Sequence, residues 1–382
     1  MPLRKYIIHF YICFCQFIGQ MAFARPLGEA VLKAASTWFN PHMAAASHAI
    51  LERIPLVDVI VEVRDARAPI SSKYQHTRNL PSSRRIIVLN KTDLANRLQT
   101  QEWLGHFLDR NCLCYGMNSH NKDNIKEFLK FLQAQVRDLN YNKSKFTTTI
   151  MLVGIPNVGK SALAKSLHQI GRVSAAEKGK LKHATVSPLP GETKDITSLK
   201  IASHPNIYVL DSPGVLHPDN LDVEMGSKLA LTGAIKDGIV KEIALARYFL
   251  AILNLSNEHN RWEALMSKDE DDFSREYKAN FRDTSGANTK RQKICYSDHT
   301  QDVVVRDVRR RLYETISCFK GNLEDDSEMG KLIDSQLVAL QAAFRLESGE
   351  NVCEKVAVKL LNLYRTGRLG HYTFDKVPRN HS

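Results

Sequence analysis

No acidic residue precedes Glu29 in this chain of 382 residues, although Arg4, Lys5 and Arg25 do. An acid-free, basic start is the composition of an organelle-targeting segment, and the two competing readings are a membrane anchor and an arm that stays attached. The apolar stretch Tyr6-Ile-Ile-His-Phe-Tyr-Ile-Cys-Phe-Cys15 contains His9 and is followed by Gln16 and Gln20, so no long uninterrupted apolar run supports a spanning helix. The seven cysteines, Cys13, Cys15, Cys112 and Cys114 among them, form no CxxC pair and meet no paired histidine spacing, which excludes a small zinc module and a disulfide scaffold. A reducing compartment fits that usage. Internal repeats are missing as well, which removes solenoids and propellers from consideration.

What is present is ordinary for a folded protein with a large core: 43% hydrophobic and 25% charged residues. The length exceeds a comfortable single core and suits two domains. Lysine and arginine outnumber acidic residues by 53 to 41, a net charge of +12 that favours a polyanionic partner, RNA or an anionic membrane.

Residues 57–63, the run from Arg85 to Asn90, residues 112–117, residues 147–153 and the run from Ile207 to Asp211 read as strands. Helical spacing at 94–108, 125–136 and 160–170 alternates with them, which implies βα units around a mainly parallel sheet. Beyond about Leu221 strand signals vanish. Helical patterns then occupy 239–255, 303–319, 333–344 and 352–364, interrupted by a polar, charged stretch over 257–300 that contains Asp269-Glu-Asp-Asp272 and Lys290-Arg-Gln-Lys293.

Gly154-Ile-Pro-Asn-Val-Gly-Lys-Ser161 matches GxxxxGK[ST] between a strand and a helix, where the mechanism of a phosphate-binding loop requires it. Its glycines, Gly159 included, let the amides around Asn157 and Val158 converge on phosphate oxygens at a helix N-terminus. Lys160 is placed to reach the β- and γ-phosphates, and Ser161 to hold Mg²⁺.

Asn90-Lys-Thr-Asp93 has the NKxD form at a strand end. The Asp93 carboxylate accepts from guanine N1–H and the N2 amine, a donor pair that adenine lacks, so GTP is selected over ATP. Asn90 is expected to brace neighbouring loops and Lys91 to lie along the base. Asp211-Ser-Pro-Gly214 is a DxxG segment, with Asp211 reaching Mg²⁺ through water and the Gly214 N–H touching the γ-phosphate. Thr193, in Pro190-Gly-Glu-Thr193, stands where a switch threonine closes over Mg²⁺; Thr185 and Thr197 compete for that role. Val215 follows Gly214, in a position where a glutamine would orient water, so intrinsic hydrolysis is expected to be slow and to need a supplied element.

The base-reading motif precedes the phosphate loop, which is a circularly permuted order. In that order, and in Trp38-Phe39, Pro41-His-Met43, Val63-Arg-Asp-Ala-Arg67 and Gly367-Arg-Leu-Gly370, the chain resembles the circularly permuted, DAR-type GTPases of ribosome assembly, particularly their mitochondrial branch. Two departures are the absence of a glycine between Pro41 and His42 and the long insertion at 257–300.

The resemblance implies a P-loop GTPase fold in the α/β class over residues 38–222, preceded by a targeting or arm segment over 1–37 and followed by a helical domain over 223–382. It implies Ser119 as a supporting guanine contact and a potassium ion near the γ-phosphate, held partly by Asn157. It also implies the large ribosomal subunit and its rRNA as partners of a monomeric switch in the mitochondrial matrix, with peripheral association with the inner membrane. A chloroplast location is the alternative compartment. A GTP-gated RNA- or membrane-associated scaffold with negligible hydrolysis is the alternative function. Asp65-Ala-Arg67 carries no chemistry evident from sequence; a salt-bridged turn and an RNA or effector contact are both open.

Overall fold

The computed structural model describes residues 23–34, 39, 41–77, 81–140, 147–177, 196–256, 259, 262–263 and 303–378. Six strands form one sheet in the order β3-β2-β1-β4-β6-β5. They are β1 (Val59–Asp65), β2 (Arg85–Asn90), β3 (Leu113–Gly116), β4 (Thr147–Val153), β5 (Thr197–Ser203) and β6 (Asn206–Asp211). All neighbours run parallel except β5, which pairs antiparallel with β6 at the edge. The parallel part needs crossover helices, and these are α2 (Arg97–Leu108), α3 (Lys122–Asn140) and α4 (Lys160–Glu177), with α1 (Pro41–Arg53) ahead of β1.

Strand β1 lies between β2 and β4 and is buried along its whole length, as expected of a central parallel strand covered on both faces. Its sequence, VIVEVRD, nevertheless carries charge. Glu62 and Arg64 share one face at the two-residue period and pair at 2.7 Å. Glu62 also accepts from the Tyr74 N–H and the Thr77 hydroxyl. Burial alone would raise the Glu62 pKa, but Arg64 and these donors outweigh it and hold it below the ordinary value.

Helix α2 starts at Asn96, whose side chain caps the amides of Leu98 and Gln99. It buries Trp103 and Phe107 against Ala66, Ile87, Leu89 and Ala95. Farther along the same face of the sheet, Ile50 and Ile54 pack with Val57, Ile60, Met151, Val153 and Val215.

The described residues divide into two compact units at Leu27/Gly28, Ile239/Val240 and Leu369/Gly370. The sequence boundary after residue 222 therefore differs from the structural division. Helix α5 (Val223–Thr232) and residues 370–378 belong with the sheet, and polar contacts show why. Asp375 accepts from the backbone of Ile70 and Ser71 and from the Ser71 hydroxyl, and pairs with Lys228 of α5 at 3.0 Å. Phe374 N–H donates to the Arg67 carbonyl, and the Trp103 indole donates to the Asp375 carbonyl.

The second unit contains α6 (Glu242–Leu255), α7 (Val303–Ser317), α8 (Asp326–Ala343) and α9 (Val352–Arg365). Phe249 and Tyr364 pack with ring centroids 4.6 Å apart, and buried Asn254 and Gln336 exchange two amide hydrogen bonds. Each buried amide thus meets a partner, which avoids the cost of an unpaired polar group. Among the described residues no helix is long and apolar enough to cross a membrane. The N-terminal segment 1–22 and most of the 257–300 insertion lie outside them.

Candidate functional site

Strands β1, β2, β4 and β6 end at one edge of the sheet, and the motif loops leave from those ends. The phosphate loop follows β4 and runs into α4, whose first residue is Lys160. Two of its glycines are required by space. A Cβ on Gly159, at φ +97°, would lie 2.2 Å from Asn90 Nδ2; one on Gly154, at φ +154°, would lie 2.5 Å from the Val63 carbonyl oxygen. Asn157, at φ 59°, occupies the left-handed region without being glycine.

Lys160 is buried, and its ammonium donates to the carbonyls of Gly154 (3.0 Å) and Ile155 (2.8 Å). Burial pulls its pKa down to about 8, against the opposing pull of Asp211. The lysine is therefore a desolvated cation beside a helix N-terminus, a setting that an incoming phosphate would stabilise.

Asp211 ends β6, and burial raises its pKa while the Ser161 hydroxyl, Lys160 and Lys165 act in the opposite direction. Its Oδ1 is buried without a hydrogen-bond partner. An orphaned carboxylate oxygen next to the Ser161 hydroxyl is the donor set that a hard, oxygen-preferring divalent cation takes, so these residues fit Mg²⁺. When bound, that ion would neutralise charge on the β- and γ-phosphates.

Gly214 stands against the loop: a Cβ there would lie 2.6 Å from Pro156 Cα and 3.1 Å from Lys160 Nζ. A backbone this close to the lysine can present its N–H to the same phosphate. Val215 points elsewhere, 2% exposed in the apolar cluster with Ile54, Tyr74 and Met151. Its side chain is a core element.

The Asn90–Asp93 loop meets the Gly154–Ser161 loop through Asn90. Its Nδ2 donates to the Val158 carbonyl (2.8 Å) and to Ser119 Oγ (3.3 Å), and its Oδ1 accepts from the Ser119 N–H (3.0 Å). One buried amide thus links three loops. Lys91, at φ 63°, donates to the Asn157 carbonyl at 2.6 Å and pairs with Asp65 at 3.0 Å. Asp93 is exposed. Asn157 Nδ2 donates to the Gly233 carbonyl at 2.8 Å. Thr193 and Thr185 lie outside the described residues, whereas Thr197 is the exposed first residue of β5.

Sequence reasoning missed two supports of this site. Asp65 pairs with Lys91 of the Asn90–Asp93 loop and is itself held by Arg67, and Asp375 anchors the chain beside them. The DAR string flagged the first pair; a lone aspartate in a polar tail gives no signal for the second.

A family model described as "50S ribosome-binding GTPase" matches residues 149–265. DAR GTPase 2, mitochondrial, of Arabidopsis thaliana is 55% identical over 365 residues, covering 93% of this chain and 95% of that protein. Short integuments 2, mitochondrial, of the same plant is 40% identical, covering 94% and 93%. Ribosome biogenesis GTPase A of Bacillus licheniformis is 30% identical, covering 73% and 96%. Among solved structures, GNP-bound YlqF from T. maritima aligns with a TM-score of 0.41 at 20% identity, over 87% of this chain and 98% of that one. This chain belongs to the circularly permuted, DAR-type GTPases, enzymes that bind and hydrolyse GTP.

Proposed function

We propose that this protein is a GTP-driven switch that assists assembly of the large ribosomal subunit in mitochondria, engaging rRNA in its GTP state and leaving after hydrolysis. The observation that carries the reading is the 55% identity, over nearly the whole length of both chains, to a mitochondrial DAR GTPase. The ribosome-biogenesis name of the bacillar relative, the family model's description and the net charge of +12 point the same way.

In this reading Asp93, Lys91, Asn90 and Ser119 recognise guanine, and the amides of Asn157, Val158 and Gly159 cradle the phosphates. Lys160 and the Gly214 N–H stabilise charge developing on the γ-phosphate. Ser161, Asp211 and Thr193 hold Mg²⁺. Val215 supplies no water-orienting group, so intrinsic turnover is slow, and a potassium ion near Asn157 together with the ribosomal subunit raises it. The orphaned Asp211 Oδ1 beside Ser161 supports this catalytic reading over a GTP-gated scaffold with negligible hydrolysis, which need not retain the full Mg²⁺ apparatus.

Depletion of the protein tests the assignment: the mitochondrial large subunit should be lost from its sedimentation position while the small subunit persists. Unchanged profiles for both subunits would contradict it.

A further inference from the structure

Asp65 is the last residue of β1 and lies in register with Asn90, the last residue of β2, so the DAR turn and the NKxD loop leave the sheet side by side. The Ala66 N–H donates to the Asn90 carbonyl at 2.8 Å. One carboxylate oxygen of Asp65 meets Lys91 Nζ at 3.0 Å and Arg67 Nη2 at 2.8 Å; the other accepts from Arg67 Nε and the Arg67 N–H, each at 3.0 Å. Arg67 Nη2 donates as well to the carbonyl of Thr232, the last residue of α5, at 2.8 Å. Asp65 and Arg67 are buried, whereas the Lys91 side chain keeps 22% of its surface exposed.

A lysine on a flexible four-carbon stem loses rotamer freedom when it packs along a ligand, and a stem fixed beforehand avoids that loss at binding. Here the ammonium is held at two points, the Asp65 carboxylate and the Asn157 carbonyl. Arg67 occupies the remaining acceptor positions of Asp65 and ties it to a helix end, so the carboxylate cannot swing away. We propose that Asp65 and Arg67 are positioning residues of the guanine site: Asp65 sets the place of the Lys91 ammonium, which lays its stem along the purine, and Arg67 fixes Asp65. This rests on the guanine-binding role given to Lys91 and Asp93 above.

The test is a double-mutant cycle on the full chain, reading Kd and dissociation rate for fluorescent (mant) GDP. Asp65→Asn and Lys91→Ala should each raise Kd about 10-fold, mainly by faster release, and the double variant should be no weaker than Lys91→Ala alone. An unchanged Kd for Asp65→Asn, or single effects that multiply to about 100-fold, would overturn the inference. Asp65→Asn leaves Arg67 short of its partner and can damage the fold, so Asp65→Asn/Arg67→Gln is the second variant. Removing both charges should restore thermal stability while Kd stays raised; a return of Kd to the parent value overturns the proposal. Asp93→Asn separates the two levels, because it should transfer preference from GDP to xanthosine diphosphate. Failure of that transfer sinks the guanine-site reading and this inference with it, whereas a successful transfer beside an unchanged Asp65→Asn sinks this inference alone.

Discussion

Replacing Lys160 by methionine in the nucleotide-free protein should change how stability responds to pH. Burial lowers the Lys160 pKa from 10.5 to about 8, so between those values the unfolded chain holds a proton that the folded chain has released. Stability of the parent therefore rises with pH through that window, because the unfolded state binds more protons there. Below pH 8 the lysine is charged in both states and the full penalty for burying it, about 3 kcal/mol, is present. Methionine has no such term, and any loss of its hydrogen bonds to Gly154 and Ile155 is independent of pH. The parent-minus-variant difference in unfolding free energy should thus increase by about 2.5 kcal/mol between pH 7 and pH 10. Urea unfolding followed by tryptophan fluorescence measures it, with Trp103 of α2 buried in the core. Bound phosphate keeps Lys160 protonated, so GDP affinity of the parent should fall about fivefold from pH 8 to pH 9, a drop absent from the variant. A stability difference that stays constant within about 0.5 kcal/mol across the range would refute the desolvated-cation account of this lysine.

Other perturbations have equally definite outcomes. Asp375→Ala strips a buried carboxylate from Lys228, Ile70 and Ser71 and should cost about 3–5 kcal/mol, read as a lowered Tm and earlier proteolytic cutting of residues 370–378. Val215→Gln places an amide in the cluster around Tyr74 and Met151; it should destabilise the fold by about 1–3 kcal/mol and leave single-turnover GTP hydrolysis no faster. Gly159→Ala forces a Cβ against Asn90 Nδ2 and should weaken GTP binding by more than about 10-fold in calorimetry, since the amide linking three loops must move. Asp211→Asn should raise the Mg²⁺ concentration needed for half-maximal hydrolysis, because a neutral amide replaces the carboxylate that fits the ion.

Strands that carry the site were readable because parallel, doubly covered strands contain continuous apolar runs, such as 86–89 in β2 and 150–153 in β4. The edge strand Thr197–Ser203 was not, since it buries only Ile201 and Ala202 and alternates weakly. Helix α5 has ordinary helical periodicity, and nothing in that pattern says which unit it joins. That is decided by the Lys228–Asp375 pair and the Arg67 bond to Thr232, contacts between residues far apart in the chain. The GxxxxGK[ST] and NKxD motifs stand out as strings with fixed spacing, whereas the burial of the Val215 side chain in the core gives no signal in the sequence. The DAR turn showed the reverse: a motif without evident chemistry became interpretable once register put Asp65 opposite Asn90.

The most direct test of the central claim is GTP hydrolysis by the purified protein in potassium or sodium buffer, with and without isolated mitochondrial large subunits, using Lys160→Ala as the blank. A ribosome-coupled GTPase predicts slow turnover alone, stimulation by subunits that is stronger in potassium, and loss of both in the variant. Hydrolysis that stays at the level of the blank under every condition, despite tight GTP binding, would contradict it.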